Sequence, residues 1–297
     1  MDSPDLYFST SNQQVDAILC GTIGILETCL PDRISAYYLH GSFANNTGIS
    51  TSDIDLFLVS KGSFTPEEHE KIQRIMYFSG LFSPFIVEMR ALDETMLLQH
   101  GHFRIKHASR LLWGKELSQD LPEQTLDAYL DMYAHFPFIY IAPMLRNVET
   151  LTLPLSYPQA SGDFFGYDQL LLPPGNEKKQ NIKKMVTCVC WIASVLIAWQ
   201  AGKTVSGKRE SVQMYRENIH DEWTTFVEEV YELGNRQWQY LIPHEPEERR
   251  QLRDLCARTL AFENHYLHQY KEYLLAEAQK GGERKHVAMQ HLLAFSA

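Results

Sequence analysis

Two aspartates at the start of a predicted strand are the residues of this sequence best suited to chemistry. Asp53 and Asp55 open the run DIDLFLV, in which apolar residues first alternate and then become continuous. Because alternate residues of a strand share a face, the two carboxylates should project together while Ile54 and Leu56 pack on the other side. Adjacent carboxylates repel each other, so a cation is their natural partner. Their hard oxygen atoms suit Mg²⁺, which takes its other ligands from water and substrate phosphates.

A Gly-Ser pair before these aspartates has the properties of a phosphate anchor. Gly41 and Ser42 directly follow the apolar run ISAYYLH. Glycine lets the backbone approach a phosphate closely, and serine adds a hydroxyl donor and a backbone N–H that can point to the same oxygens. We count Ser52, which opens the Ser-Asp-x-Asp sequence, as a further candidate cofactor-binding residue. A phosphate anchor beside a two-carboxylate metal platform is suited to in-line nucleotidyl transfer.

Such a reaction needs a third carboxylate, either to hold a second metal ion or to deprotonate the attacking hydroxyl. Glu88 is the candidate, because it interrupts the otherwise apolar run FIVEMRAL, with Ile86 and Arg90 on its own face. A glutamate with apolar neighbours in mid-strand is unfavourable unless a charged group meets it. Taken alone, Glu88 is equally well explained as a solvated glutamate on an edge strand or as a partner of Arg90.

The elements around these residues predict an α/β or α+β domain in the first third of the chain. Apolar residues at helical spacing predict a helix over 12–30, and ISAYYLHGS predicts a strand that runs into a turn. The run TPEEHEKIQRIMYFSG predicts a second helix, with Thr65 as its N-cap, Pro66 in its first turn and Gly80 as its C-terminal cap. SPFIVEMRAL predicts a third strand, and the alternation of strands and helices indicates one domain over about 12–117.

Helical patterns dominate from about residue 118. The predicted helices lie at about 180–201, 209–217, 221–240 and 246–280, with a short amphipathic helix at the end. The Pro- and Gly-rich stretch at about 150–180 is interpreted as a long loop. The uncharged apolar run from Met185 to Trp199 is shorter than the roughly 20 residues that a membrane span needs, so we interpret it as a core helix. The predicted fold is therefore α+β, with a small mixed-sheet domain at 1–117 and an α-helical bundle at 118–297.

Composition restricts the partners and the compartment. The chain of 297 residues has a formal charge of −10, which argues against the clustered basic surface that sequence-independent nucleic-acid binding requires. Its five cysteines are an odd number without a disulfide framework, as is typical of reduced thiols in a cytosolic protein. No signal peptide is visible at the N-terminus. We therefore predict a cytoplasmic protein that acts on neither nucleic acid nor membrane.

The motifs resemble the defining sequence of the DNA-polymerase-β-like nucleotidyltransferase superfamily. The likeness rests on HGSFANN…TSDIDLFLV, and within the superfamily it is strongest to the streptomycin/spectinomycin-type aminoglycoside adenylyltransferases. The stretch KMVTCVCWIASVLIAWQAGKTVSGKRESVQMYRENIHDEW is similar to that family's central helix and the helix after it. The resemblance covers residues 36–60 and 185–225 well and the rest loosely.

This resemblance implies a role for each motif residue. Ser42 would contact ATP phosphates, Asp53 and Asp55 would bind Mg²⁺, and Glu88 would act as the general base and complete a two-metal site. Lys208 matches a lysine of the helical domain that reaches the triphosphate, which would place the site in a cleft between the two domains. From its own surroundings, Lys208 is equally well explained as an exposed lysine.

The acceptor is where this sequence departs from the family. The antibiotic-modifying enzymes carry acidic residues just before the central helix, where they hold the cationic groups of the aminoglycoside. This chain has Gln180 and Asn181 there, with Lys183 and Lys184 close by. We predict AMP transfer from ATP to a hydroxyl of a small acceptor, with an aminoglycoside-like molecule as one candidate, and release of pyrophosphate. The alternatives are a protein or tRNA acceptor, or a nucleotide-binding module without activity.

Overall fold

The computed structural model describes residues 5–171, 179–280 and 282–295, which divide into two compact units. The first unit ends at Gln124, and the second comprises Thr125–Leu171 and the described residues from Lys179 onwards. A mixed four-stranded sheet with helices forms the first unit, and the second is mainly helical. The predicted fold class, a small mixed-sheet domain followed by a helical one, is confirmed.

The first unit alternates helices and strands. Its elements are, in chain order, α1 (Gln13–Cys29), β1 (Ile34–His40), α2 (Gly41–Ala44), β2 (Ile54–Ser60), α3 (Pro66–Phe82), β3 (Val87–Asp93), α4 (Glu94–His100), α5 (Phe103–Ala108) and β4 (Arg110–Gly114). The two predicted helices and the three predicted strands are all present. β4 has no counterpart in the prediction.

The order of the strands in the sheet is β3-β2-β1-β4. β1 pairs in antiparallel fashion with both β2 and β4, whereas β2 and β3 are parallel. Two parallel neighbours need a crossover connection, which α3 provides here. β3 therefore forms one edge of the sheet.

Two apolar cores lie on opposite faces of this sheet. The first joins alternate strand residues, such as Leu39 and Leu56, to the apolar stripes of α1 and α3. The second joins the other alternate residues, including Tyr38 and Phe57, to Ile105 of α5. His40 follows Tyr38 by two positions on β1, and Asp55 precedes Phe57 by two positions on β2. Both therefore lie on this second face, where they are Cα partners. Polar groups thus replace apolar ones at one end of the second face.

The predicted start of α3 is confirmed, but its predicted end is wrong. The Thr65 hydroxyl accepts a hydrogen bond from the Glu68 N–H at 3.2 Å, and the Glu68 carboxylate accepts one from the Thr65 N–H at 2.8 Å, which completes a capping box. α3 continues past Gly80 and is capped by Ser83. Because Ser83 precedes Pro84, the α conformation is disfavoured there, and the proline rather than the glycine ends the helix.

The second unit is built around one buried helix. Its elements are α6 (Leu126–Tyr133), α7 (Phe136–Ile139), a π-helical segment (Tyr140–Arg146), β5 (Gln169–Leu171), β6 (Lys179–Asn181), α8 (Lys183–Ala201), α9 (Lys208–Asn218), α10 (Thr224–Glu229), a second π-helical segment (Val230–Gln237), α11 (Pro246–Lys280) and α12 (Gly282–Leu292). By length and composition α8 could cross a membrane, but 72% of its most apolar window is buried within the protein. α8 is a core helix of this unit.

A buried ion pair anchors the described part of the predicted 150–180 loop. Glu263 of α11 is fully buried, and its Oε2 accepts hydrogen bonds from Arg146 Nη2 at 2.6 Å and from the Tyr167 hydroxyl at 2.8 Å. Burial raises the pKa of Glu263, and the nearby Arg146 charge opposes that rise. Beyond Tyr167 the loop continues into the antiparallel pair β5–β6, and residues 172–178 lie outside the described part of the chain.

Candidate active site

The Gly-Ser pair forms a sharp turn at the end of β1. Gly41 has a φ of +75°, which glycine adopts without strain, and it begins the single helical turn of α2 that also contains Ser42. A methyl carbon added to Gly41 would lie only 2.2 Å from Asp55 Oδ2. The backbone of this turn therefore lies directly against the Asp55 carboxylate, as a phosphate anchor beside a carboxylate platform requires.

The connection from α2 to β2 is held by its own hydrogen bonds. The carbonyl oxygen of Ser42 accepts a hydrogen bond from the Thr47 N–H at 2.9 Å. The Ser52 hydroxyl accepts one from the Ile49 N–H at 3.0 Å, and the Ser52 N–H donates to the Ile49 carbonyl oxygen at 2.9 Å. Because Ser52 is only 6% exposed, its side chain shapes the loop that delivers Asp53 to the start of β2.

The structure brings Asp55 and Glu88 to neighbouring positions on adjacent strands. They are Cα partners in the parallel β2–β3 pair, and such strands lie about 4.8 Å apart. Asp53 precedes β2 by one residue, and Ile54 between the two aspartates is fully buried in the core on the opposite face. Asp53 and Asp55 are both partly buried. The predicted carboxylates thus occupy one end of one sheet face.

Glu88 also has the features expected of a solvated glutamate on an edge strand. β3 is an edge strand, and both Glu88 and Arg90 are exposed. An exposed glutamate beside a carboxylate-bearing strand is accessible to an incoming hydroxyl, so an edge position is compatible with the predicted role. That role remains a prediction.

Two histidines without a predicted role line the same face. His40 is the Cα partner of Asp55, and its ring stacks on Phe57 with the ring centroids 4.0 Å apart. The His102 ring contacts the edge of Phe57, with the centroids 4.9 Å apart. Burial, helped by the positive charges of Arg104 and Arg90, lowers the pKa of His102 to about 4 and that of His40 well below its ordinary value. Both rings are therefore neutral near pH 7.

These histidines carry no sequence signal beyond the position of His40 next to Gly41. Their spacing fits no metal-ligand pattern, and both rings contact Phe57. Only the pairing of β1 with β2 shows that His40 and Phe57 share a face.

Lys208 lies in the second unit, at the first position of α9. Its ammonium donates a hydrogen bond to the Tyr240 hydroxyl at 3.0 Å, and that hydroxyl also accepts one from Asn235 Nδ2 at 2.6 Å. Burial disfavours the charged ammonium, but the interaction with Tyr240 outweighs it and raises the pKa of Lys208. Lys208 is thus a charged lysine held in one orientation, and its contact with a triphosphate remains a prediction.

The residues around Asp55 fit a magnesium ion by their chemistry. Within the described part of the chain, no three His, Cys, Asp or Glu side chains are arranged as a complete metal site. Mg²⁺, however, commonly takes one or two carboxylates from the protein and its other ligands from water and substrate phosphates. Asp53 and Asp55 supply those carboxylates, and the lack of a side chain at Gly41 lets the Asp55 carboxylate lie directly against the turn.

Comparison with known proteins agrees with this geometry. Residues 20–95 match the sequence model of a nucleotidyltransferase domain. Among solved structures, the chain is similar to the spectinomycin adenyltransferase AAD(9) from Enterococcus faecialis, solved with ATP and spectinomycin. The TM-score is 0.50 at 11% sequence identity, over 84% of this chain and 98% of that one, so this likeness concerns the fold. None of the curated proteins compared matches the chain. The predicted nucleotidyltransferase class is confirmed by the domain match over residues 20–95, and the predicted resemblance is confirmed at the level of the fold.

Proposed function

We propose that this nucleotidyltransferase moves AMP from ATP to a hydroxyl of a small acceptor and releases pyrophosphate in an Mg²⁺-dependent reaction. The observation that carries the proposal is the pairing of Asp55 with Glu88 immediately beside the Gly41 turn. This arrangement supports the assignment of a phosphate anchor, a carboxylate platform and a base to one end of one sheet face. The solved relative that binds ATP supports ATP as the donor.

The Gly41–Ser42 turn is assigned to the triphosphate. Backbone N–H groups of a glycine-containing turn and the Ser42 hydroxyl can donate hydrogen bonds to phosphate oxygens, and Gly41 has no Cβ to hold the phosphates away. Asp53 and Asp55, with Glu88 at their side, would hold the magnesium. When bound, the ion would neutralise charge on the phosphates during transfer.

Glu88 is assigned to the acceptor. Its carboxylate takes the proton from the acceptor hydroxyl, whose oxygen then attacks the α-phosphorus of ATP in line with the bond to the β-phosphate oxygen. A new P–O bond joins AMP to the acceptor, the bond between the α-phosphorus and the bridging oxygen breaks, and pyrophosphate leaves with the electron pair. His40, neutral beside Asp55, adds no charge to this region.

The test is pyrophosphate release by the purified chain with Mg²⁺, each nucleoside triphosphate in turn, and a panel of aminoglycosides, sugars, nucleosides and tRNA. With the nucleotide and acceptor that the wild-type protein uses, Asp53→Asn should abolish pyrophosphate release. Its circular dichroism spectrum and melting temperature should be those of the wild type. Asp120→Asn is the matched control, since Asp120 lies in the same unit outside the site residues. Transfer by Asp53→Asn at the wild-type rate would refute the metal-platform assignment.

The same material separates the alternatives. A cell extract incubated with the protein and α-labelled ATP gives a labelled macromolecule if the acceptor is a protein or a tRNA, and none if it is small. Tight ATP binding without turnover across the whole panel would instead identify a nucleotide-binding module.

A further inference from the structure

Two arginines stand beside the carboxylates on the face of the candidate site. Arg90 follows Glu88 by two residues on β3 and therefore shares its face. It is exposed and is the Cα partner of Phe57 on β2. Arg104 comes from α5, which packs against this face through Ile105. The chain thus contributes positive charge to this face from two separate elements.

Two histidine rings lie on the same face as these arginines. His40 and His102 flank Phe57, at 4.0 and 4.9 Å between ring centroids. Arg90 is the Cα partner of Phe57, and Arg104 lies on α5 two residues after His102, the N-cap of that helix. A guanidinium keeps its positive charge at any physiological pH, so Arg90 brings a permanent cation to this face.

The order of the strands decides which substrate Arg90 faces. β2 lies between β1 and β3, so Asp55 separates the Gly41–Ser42 turn on one side from Glu88 and Arg90 on the other. The proposed function assigns the triphosphate to the β1 side and the attacking hydroxyl to the β3 side. Arg90 therefore stands on the side of the acceptor, on the same strand as the proposed base.

We propose that the acceptor carries an anionic group, a phosphate or a carboxylate, which Arg90 binds while Glu88 meets the hydroxyl. This inference rests on the proposed function, because it names the substrate class of the same site. A guanidinium presents a planar pair of donors that matches phosphate and carboxylate oxygens. The same charges repel a polycation, so an aminoglycoside is a poor acceptor for this chain.

The experiment compares alcohols that differ by one anionic group. Transfer of label from α-labelled ATP with Mg²⁺ is measured for glycerol against glycerol 3-phosphate, glycerol against glycerate, and glucose against glucose 6-phosphate, with spectinomycin as the cationic arm. We expect kcat/KM to be at least tenfold higher for the anionic member of at least one pair. The phosphate and carboxylate members distinguish the two kinds of anion.

Arg90→Gln should remove this preference. We expect it to raise the KM of the anionic acceptor at least tenfold, to change the KM of the neutral acceptor much less, and to leave the KM of ATP within about twofold of wild type. Arg74→Gln is the matched control, because Arg74 is an exposed arginine of α3 in the same unit, paired with Glu70. That variant should retain the preference.

Three results would overturn the inference. Neutral alcohols or spectinomycin could be used as well as the anionic ones, which would leave the proposed function intact. Arg90→Gln could raise the KM of ATP instead, which would assign the arginines to the triphosphate. If no acceptor is used at all, the proposed function fails. The anionic subsite is then tested by calorimetric titration of glycerol 3-phosphate and glycerate in the presence of α,β-methylene-ATP. The absence of Arg90-dependent binding in that titration refutes the anionic subsite.

Discussion

Replacing Gly41 with alanine is the sharpest single change that the structure offers, because it adds one methyl group between the phosphate turn and the Asp55 carboxylate. That methyl carbon would lie 2.2 Å from Asp55 Oδ2, whereas ordinary contact begins at 3.4 Å. The carboxylate or the turn must therefore move by about 1.2 Å. A displacement of about 1 Å in a reacting group can cost on the order of 10²-fold in rate.

Alanine also meets a conformational cost at this position. Gly41 has a φ of +75°, and the left-handed conformation costs a non-glycine residue roughly 1–2 kcal/mol. We therefore expect Gly41→Ala to lose about 1–2 kcal/mol of folding stability and at least about 100-fold in kcat for pyrophosphate release.

Gly62 provides a matched control for the backbone strain. It has a nearly identical φ of +77°, but a methyl carbon there would meet no atom within 4 Å. Gly62→Ala should thus show the loss of stability without the loss of activity. Urea unfolding gives the stabilities of both variants, and initial rates at saturating ATP and acceptor give their kcat values.

The comparison between the two variants decides the question. If Gly41→Ala loses no more activity than Gly62→Ala, the contact with the Asp55 carboxylate has no catalytic meaning. The assignment of the turn as a phosphate anchor beside that carboxylate would then be refuted.

Three further predictions concern other parts of the chain. The Arg33–Glu68 ion pair, with Nε and Oε1 2.6 Å apart, lowers the pKa of Glu68 from 4.5 to about 2, so its stabilisation is present above pH 4.5 and is lost as the pH falls towards 2. Glu68→Gln should reduce the urea midpoint at pH 7 and remove that part of the pH dependence; an unchanged pH profile would contradict the linkage. Arg146→Met leaves the Glu263 carboxylate buried without its cation and should cost about 3–5 kcal/mol in urea unfolding, part of which Glu263→Gln restores when added. Lys208→Met should raise the KM of ATP at least tenfold with little change in that of the acceptor, and an unchanged KM of ATP would contradict its assignment to the triphosphate.

Local patterns predict the site more fully than the sheet around it. Alternation places Asp53 and Asp55 on one face, and the buried Ile54 between them bears this out. The capping box at Thr65 is confirmed because both of its partners lie within one helical turn. Gly80 shows the limit of such signals. The helix continues past it and ends before Pro84, which lies beyond the run of residues that predicted the helix.

The features that the sequence does not predict depend on contacts between distant segments. β4 is a short strand that exists by pairing with β1, more than 70 residues earlier in the chain, and its last residue, Gly114, has a φ of +96° against the Ser35 carbonyl. Likewise, nothing in the spacing of Arg90 and Arg104 indicates that both act on His40. That convergence follows from the strand pairing and from the position of α5.

The edge position of β3 has a consequence for the motion of the site. Within the described residues, β3 is hydrogen-bonded to a strand on one side only, whereas β2 is held on both sides. Strands with fewer neighbours open locally at a lower free energy. Backbone amides of β3 should accordingly exchange with solvent deuterium faster than those of β2. Glu88 can then shift to meet acceptors of different size while Asp55 stays fixed, so the site would combine a rigid platform for the nucleotide with an adjustable base.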